Sequence, residues 1–340
     1  MNPAIEFSLG IDLAQESFDV AIAPEGSPMQ DWRKLPNTHL AYGPDSEEGL
    51  KALLDWVQEQ CPKGKCLRVV VESTGQLSKR FARALRGKGL PEVAIINPHR
   101  SKAFADSLGV REKSDGIDCA TLALYAMVHR CEATEPGSSA EENLRELTRL
   151  REGYLKDLTL WKNRLRETDQ SRSRKIVEET IKHLEKQIEE LDEAIEQEIA
   201  GDEKMAFQVK ALKQVTGIKQ VASSTMTAEL GELHKYERNQ IIGRVGVYAR
   251  RFESGSSVHK RPRLAKGGCP RVRRVLYMAA TSILNSKGPL REYAEGLRKR
   301  GLSDMSVIMA LMRKLLLICR AVMINGGNYD ESKILRGAKS

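Results

Sequence analysis

Four carboxylates stand at positions suited to phosphodiester chemistry. Asp12 closes the apolar run Phe7-Ser8-Leu9-Gly10-Ile11, and Glu72 closes Leu67-Arg68-Val69-Val70-Val71. Asp115 and Asp118 lie three residues apart at the start of an apolar helical stretch, so they share one helix face. Carboxylates gathered at strand ends repel one another unless cations lie between them. Oxygen ligands select Mg²⁺, with Mn²⁺ as the alternative. Such ions can clamp the attacking and leaving oxygens of a phosphodiester. For Asp115 and Asp118 there is a plainer reading, as a helix cap and a first-turn acid. Glu72 resists that reading, because an acid closing a buried strand is costly without a partner. A nucleophile of another kind sits in Arg250-Arg251-Phe252-Glu253-Ser254-Gly255-Ser256-Ser257-Val258. A serine beside a glycine, among arginines, can approach a phosphate closely. Its attack would leave a phosphoserine–DNA ester and conserve the bond energy for rejoining. A Ser/Gly linker is the alternative there, and Ser256 and Ser257 are alternative nucleophiles.

The elements that must position these groups read as an α/β N-terminal domain. Phe7–Asp12 and Ser17–Ile22 are strands, with a third expected near Trp32. A helix over Ser46–Gln60 follows, then the strand Leu67–Val71, the helix Leu77–Leu85, the strand Val93–Ile96 and the helix Ile117–His129. A strand meander leading into alternating helices and strands is the order of a ribonuclease-H-like domain, and of other α/β folds. Glu135-Pro136-Gly137-Ser138-Ser139 marks a linker. Beyond it, Leu144, Leu147, Leu150, Tyr154, Leu158, Trp161 and Leu165 form one stripe. Val177, Ile181, Leu184, Ile188, Leu191, Ile195 and Ile199 form another, with a break at Gln170–Ser173. Near-heptad spacing suits a helical hairpin, either a dimerising coiled coil or one packed on its own domain. A mostly α-helical region follows. Thr216-Gly217-Ile218 before Val221–Leu230 resembles a helix-hairpin-helix, whose turn offers N–H groups to phosphate. Arg271–Leu284 and Met305–Ile324 are further helices, the latter apolar nearly all round and expected to be core. The expected domains are therefore 1–134, catalytic; 135–204, linker and coiled-coil hairpin; 205–330, serine-bearing and DNA-binding; and a tail over 331–340.

Charge separates these regions. Net charge is −2 over 1–134, −5 over 135–234, +13 over 235–300 and +3 over 301–340. One segment thus carries the basic excess, the footprint of a nucleic-acid surface. Lys260, Arg261, Arg263, Lys266, Arg271, Arg273 and Arg274 join Arg250 and Arg251 as candidate contacts. Cys61 and Cys66 are the closest of the six cysteines and have no matching second pair, so no zinc site is expected. No signal peptide and no apolar run of membrane-spanning length is seen, so a cytoplasmic protein, nucleoid-associated in action, is expected.

Gly10-Ile11-Asp12, Val71-Glu72-Ser73-Thr74-Gly75, Asn97-Pro98 and Lys113-Ser114-Asp115-Gly116-Ile117-Asp118-Cys119, taken in order, resemble the DEDD transposases. These are the Piv-like insertion-sequence recombinases of the IS one-ten class. The second half is similar too, through Thr216-Gly217-Ile218, Ala228-Glu229-Leu230-Gly231, Glu253-Ser254-Gly255-Ser256-Ser257-Val258 and Arg273-Arg274-Val275-Leu276-Tyr277-Met278-Ala279-Ala280. The resemblance implies a RuvC-like, metal-dependent N-terminal domain, with Ser254 as catalytic serine of the C-terminal domain. It also implies donor and target DNA as substrates, a noncoding bridge RNA that specifies both, and a homo-oligomer, a dimer or a tetramer on DNA. It leaves open whether the acids and the serine of one centre come from one subunit or two. Lys219, Ala249 and Ala265-Lys266-Gly267-Gly268 depart from the family pattern near the expected DNA contacts. The rival readings are a hydrolytic Holliday-junction nuclease, which would not need Ser254, an actin-like ATPase, and a non-catalytic scaffold. The ATPase lacks a second phosphate loop here, and the scaffold would tolerate loss of all four acids.

Overall fold

The computed structural model describes residues 5–61, 66–90, 93–110, 114–129, 131–134, 138–254, 258–264 and 267–330. It divides into two compact units, Met1–Pro136 and Gly137–Ser340.

The first unit is built on a mixed five-stranded sheet. Its strands are β1 (Ile5–Leu13), β2 (Phe18–Pro24), β3 (Asn37–Leu40), β4 (Cys66–Glu72) and β5 (Val93–Ile96). Their order is β3-β2-β1-β4-β5. β2 runs antiparallel to both β1 and β3, while β1, β4 and β5 are parallel. This order is compatible with a ribonuclease-H-like domain. Helices α1 (Glu47–Gln60) and α2 (Gln76–Gly87) pack Leu50, Leu53, Phe81 and Leu85 against Leu9, Ile11, Val69 and Val71 on one face. Helices α3 (Pro98–Ser107) and α4 (Asp115–His129) cover the other face, over Ala21, Ala23, Val70 and Ala94. β4 is apolar without interruption because both faces of the sheet are covered.

The third strand does not lie near Trp32. Met29–Lys34 is a 3₁₀ turn that buries Trp32, and the strand comes later, at Asn37–Leu40. Pro28 and Pro36 bracket the turn, and each removes a backbone donor a strand would need. Helix α3 was not expected from periodicity. Its signal is the start: Asn97 accepts from His99 N at 2.9 Å, and Pro98 takes the first helical position.

Small residues set how closely α4 approaches the sheet. A Cβ on Gly10 would lie 2.2 Å from both Ala123 N and Cys119 O of α4. Neither atom belongs to a side chain that can swing away. Gly10→Ala is therefore expected to destabilise the first unit by about 3 kcal/mol or more. Differential scanning calorimetry should show its transition lowered by roughly 10 °C. A transition unmoved within error would mean that α4 does not cross β1 this closely.

The second unit is mainly helical. Helices α5 (Ser139–Glu167) and α6 (Ser171–Ala200) form an antiparallel hairpin, pinned by Arg151–Asp192 at 2.5 Å and Lys162–Glu185 at 2.7 Å. Ser138 and Glu141 form the capping box that starts α5. On α6 the expected stripe is buried at Val177, Ile181, Leu184, Ile188, Ile195 and Ile199. On α5 only Leu144 and Thr148 are buried, and Leu150 is half exposed. There follow α7 (Glu203–Leu212), α8 (Gln220–Leu230), α9 (Arg238–Val245), the hairpin β6 (Ala249–Ser254) and β7 (Val258–Leu264), α10 (Pro270–Leu284), α11 (Pro289–Lys299) and α12 (Asp304–Ile324). Their shared core holds Leu212, Met226, Ile241, Leu276, Leu311 and Leu315. Gly217, in the α7–α8 turn, has φ +88°, and a Cβ there would lie 2.8 Å from Ile283 Cδ1. Helix α12 is not core all round: Arg313 is exposed and Lys314 partly so, which opens one side of the helix to solvent. Among the described residues no helix is long and apolar enough to cross a membrane.

Candidate carboxylate centre and serine hairpin

Register brings the first two acids side by side. β1 and β4 run parallel with Gly10 opposite Val70 and Ile11 opposite Val71, so Asp12 and Glu72 are the next neighbours along the same edge. Gly10 and Val70 face α4, and by strand alternation Asp12 and Glu72 face it too. Helix α4 carries Asp115 and Asp118 in its first turn. Its cap is Ser114, whose Oγ accepts from Ile117 N at 3.4 Å, rather than Asp115.

The electrostatics of Asp12 report the gathering. Burial, then the charges of Asp118, Glu72, Asp115 and Asp19, raise its pKa from 3.8 to about 6. Asp19 is an acid that sequence reasoning missed. It lies directly opposite Asp12 in the β1–β2 register and is held by His39 Nδ1 of β3 at 3.0 Å. In Phe18-Asp19-Val20-Ala21-Ile22-Ala23 the alternation reads as polar-out. The residues that share Asp19's face are small alanines, and small residues there mark a helix lying close. Beneath these acids the Cys119 thiol is pushed up to about 12 by burial and by the charges of Asp19 and Asp12.

Glu72 has a partner of its own. Ser101 Oγ of α3 donates to its carboxylate at 2.7 Å. Ser73 N donates to Ile96 O at 2.9 Å, tying the chain beyond Glu72 to the end of β5. Asn97-Pro98 thus starts the helix that aims Ser101 at Glu72. Among the described residues no three His, Cys, Asp or Glu side chains stand ready-arranged around one point as a ligand set. The donor chemistry fits a hard divalent cation, being carboxylate oxygens whose mutual repulsion already shows on Asp12. Side-chain rotation would have to complete the ligand distances.

Ser254 lies in a hairpin rather than a free loop. β6 and β7 pair antiparallel from Ala249↔Leu264 to Ser254↔Val258. The register shifts between Arg250 and Phe252, opposite the stretch containing Pro262, where β7 carries one extra residue. Proline cannot donate to the ladder, and bulges are where strands accommodate it. The backbone places Arg250, Arg251, Lys260, Arg261 and Arg263 on this hairpin. Lys266, Ser256 and Ser257 fall outside the described residues.

The arginines of α10 are engaged within the unit. Arg271 meets Glu152 of α5 at 3.0 Å, and Arg274 also pairs with Glu152. Arg273 donates to Val245 O at 3.0 Å and Gly267 O at 2.6 Å. Glu229 of α8 is gripped by Arg149 of α5 at 2.7 and 2.9 Å. Burial opposes its ionisation, yet Arg149, with Arg271 and Arg145 nearby, holds its carboxyl below the usual range. These pairs brace the hairpin of α5 and α6 against the helices that follow it.

Residues 9–168 match the family model of DEDD transposases of the IS110 type, and residues 209–295 match the model for the transposase IS116/IS110/IS902 family. The chain is also similar to the pilin gene-inverting protein of Moraxella lacunata, at 25% identity over 95% of this chain and 97% of that one. The pilin gene-inverting protein of Moraxella bovis matches at the same identity and the same coverage.

Proposed function

Because the chain belongs to the IS110-type family of DEDD transposases, we propose that this DNA recombinase cuts and rejoins strands through a covalent serine link. In this reading the first unit is a RuvC-like, ribonuclease-H-like domain, and a noncoding bridge RNA directs a homo-oligomer to donor and target DNA. The observation that supports the strand-cutting part of this reading is the register that sets Asp12 beside Glu72 under the first turn of α4, with the charges of Asp115 and Asp118 acting on Asp12.

Mg²⁺ held by Asp12, Glu72, Asp115 and Asp118 would supply positive charge to polarise the scissile phosphate. The chain's own residues do the rest. Ser101 holds one Glu72 oxygen and so fixes the direction of the other. Ser254 Oγ attacks phosphorus, its proton leaves, and the bond to O3′ breaks. O3′ takes up a proton, and the 5′-phosphate stays on the serine. Attack by a 3′-hydroxyl of the other duplex reverses these changes and frees Ser254. Arg250 and Arg251 sit four and three residues before Ser254 and supply charge for the phosphorane. The relatives' name speaks of inverting a gene. Inversion breaks and rejoins strands with no net loss of phosphodiester bonds, which suits an ester that stores the bond.

The test is a plasmid carrying two sites in inverted orientation, incubated with protein, Mg²⁺ and the element's flanking noncoding RNA. The expected products are the inverted plasmid and a protein–DNA adduct that survives denaturing electrophoresis. Nicked DNA with free 5′-phosphates and no adduct would instead make the protein a hydrolytic junction nuclease.

A further inference from the structure

A groove of about 1220 Å³ opens in the second unit, between α11, α12, the start of α9 and the chain entering β6. Arg320, which donates to Tyr236 O, and Arg238, Arg300, Arg313 and Lys314 line it, against a single carboxylate, Asp330. Arg238, Arg300, Arg313 and Lys314 form no ion pair with a carboxylate among the described residues, in contrast to Arg271 and Arg274. The charge is concentrated: burial, then the nearby Arg238, lower the Lys314 pKa. Aromatic faces lie among the cations. Lys314 Nζ sits 5.5 Å from the Tyr293 ring centroid, and Tyr248 at the lip is 40% exposed. Leu317 and Met309 give the groove an apolar lining.

Cations beside an open aromatic face, here that of Tyr248, are what an unpaired nucleic-acid strand needs. Phosphates follow the cations, and bases stack on the rings whatever their sequence. A duplex keeps its base faces stacked inside and would leave Tyr248 unused. An acidic protein segment would satisfy the cations but has no planar group for Tyr248. The groove is also continuous with the serine hairpin. Its lining includes Ala249, the first residue of β6, and Ser254 is the last. The two ends of that strand are about 17 Å apart.

We propose that the groove of Arg313, Lys314 and Tyr248 holds an unpaired DNA strand beside the segment that Ser254 cuts. The choice of DNA rests on the reading of Ser254 as a DNA nucleophile. The groove contains no residue of the carboxylate centre and none of the basic residues singled out by the charge pattern of 250–274.

The test is fluorescence anisotropy with a labelled 12-nucleotide oligothymidylate and full-length Ser254→Ala protein, so that no chemistry intervenes. Arg313→Ala with Lys314→Ala is expected to bind roughly ten-fold more weakly. Its slope of log affinity against log salt should fall by about 1.4, since each lost contact to a single strand removes ~0.7. Tyr248→Ala should also lose roughly ten-fold, with the salt slope unchanged. Tyr248→Phe should bind as the parent does, because the ring face and not the hydroxyl is used. Circular dichroism melting shows whether each variant is folded. Equal binding by parent and both alanine variants would overturn the proposal. Tighter binding of the matching oligouridylate, lost in the same variants, would overturn the assignment to DNA. Groove binding as expected, with no adduct formed by the wild type, would leave the groove in place and remove the serine mechanism.

Discussion

If the proposed serine mechanism holds, Ser254→Ala is expected to abolish the covalent protein–DNA adduct and to reduce strand exchange by on the order of 10⁴-fold or more, because that mechanism loses its reacting atom. The backbone argues that this loss will be chemical. Ser254 ends β6, and the pairing with Val258 uses main-chain groups that alanine keeps. The change should move stability by no more than about 0.5 kcal/mol. DNA binding at the groove and on the basic hairpin should persist, so a gel-shift control separates binding from cutting. Ser256→Ala with Ser257→Ala should retain the adduct. Proteolysis of the wild-type adduct, followed by mass spectrometry, should place the nucleotide remnant on the peptide containing Ser254. A remnant on Ser256 or Ser257, or an adduct that survives Ser254→Ala, would move the nucleophile. Cleavage that persists without any adduct would make water the attacking group.

The parts of this protein that were legible in its sequence are those where one signal dominates. Val93–Ile96 and the helix boundaries at Gln60, His129 and Ile324 could be read because apolar spacing and a turn residue agree. β3 could not, since Asn37-Thr38-His39-Leu40 is an edge strand with little to bury, while Trp32 offered a stronger but misleading apolar signal. Asp12 and Glu72 were visible because acids that terminate apolar runs are costly, and Asp115 and Asp118 because a three-residue spacing at the head of an apolar helix puts them on one face. Asp19 and His39 were invisible for the opposite reason: polar residues alternating along a strand look like a solvated face until the register puts them opposite Asp12. The β6–β7 hairpin was hidden by the Gly255-Ser256-Ser257 stretch, whose composition speaks for a loop. Arg313 and Lys314 were hidden in α12 because two cations do not dilute nine buried apolar residues in a helical average. The misses at Asp19 and His39 and at Arg313 and Lys314 have one cause. A side chain's face is set by the neighbouring element, and local composition does not contain that neighbour.

Asp12→Asn should lower strand cleavage by at least roughly 10³-fold and make the metal-free first unit more stable. The two effects have one origin, the crowding of charge. Burial and four neighbouring carboxylates raise the Asp12 pKa to about 6, against 3.8 as its ordinary value. Between those values the folded chain binds more protons than the unfolded one. Stability therefore falls as pH rises through about 4 to 6, and the full penalty is present at pH 7. Asp12 is partly open to solvent, and screening reduces that penalty to on the order of 1 kcal/mol. Asparagine carries no charge, so the variant should melt about 3 °C higher than wild type at pH 7. The gap should narrow towards pH 4, where the wild-type carboxyl takes up its proton. Adding Mg²⁺ at pH 7 should reverse the order. A cation that binds the folded state stabilises the wild type by mass action, and the variant lacks one of the four carboxylates proposed to hold it. Matched melting curves at pH 4, 5, 6 and 7, with and without Mg²⁺, give all of these differences at once. A gap that does not change with pH would mean that the acids do not crowd Asp12. A variant that still cleaves would place strand cutting elsewhere in the protein.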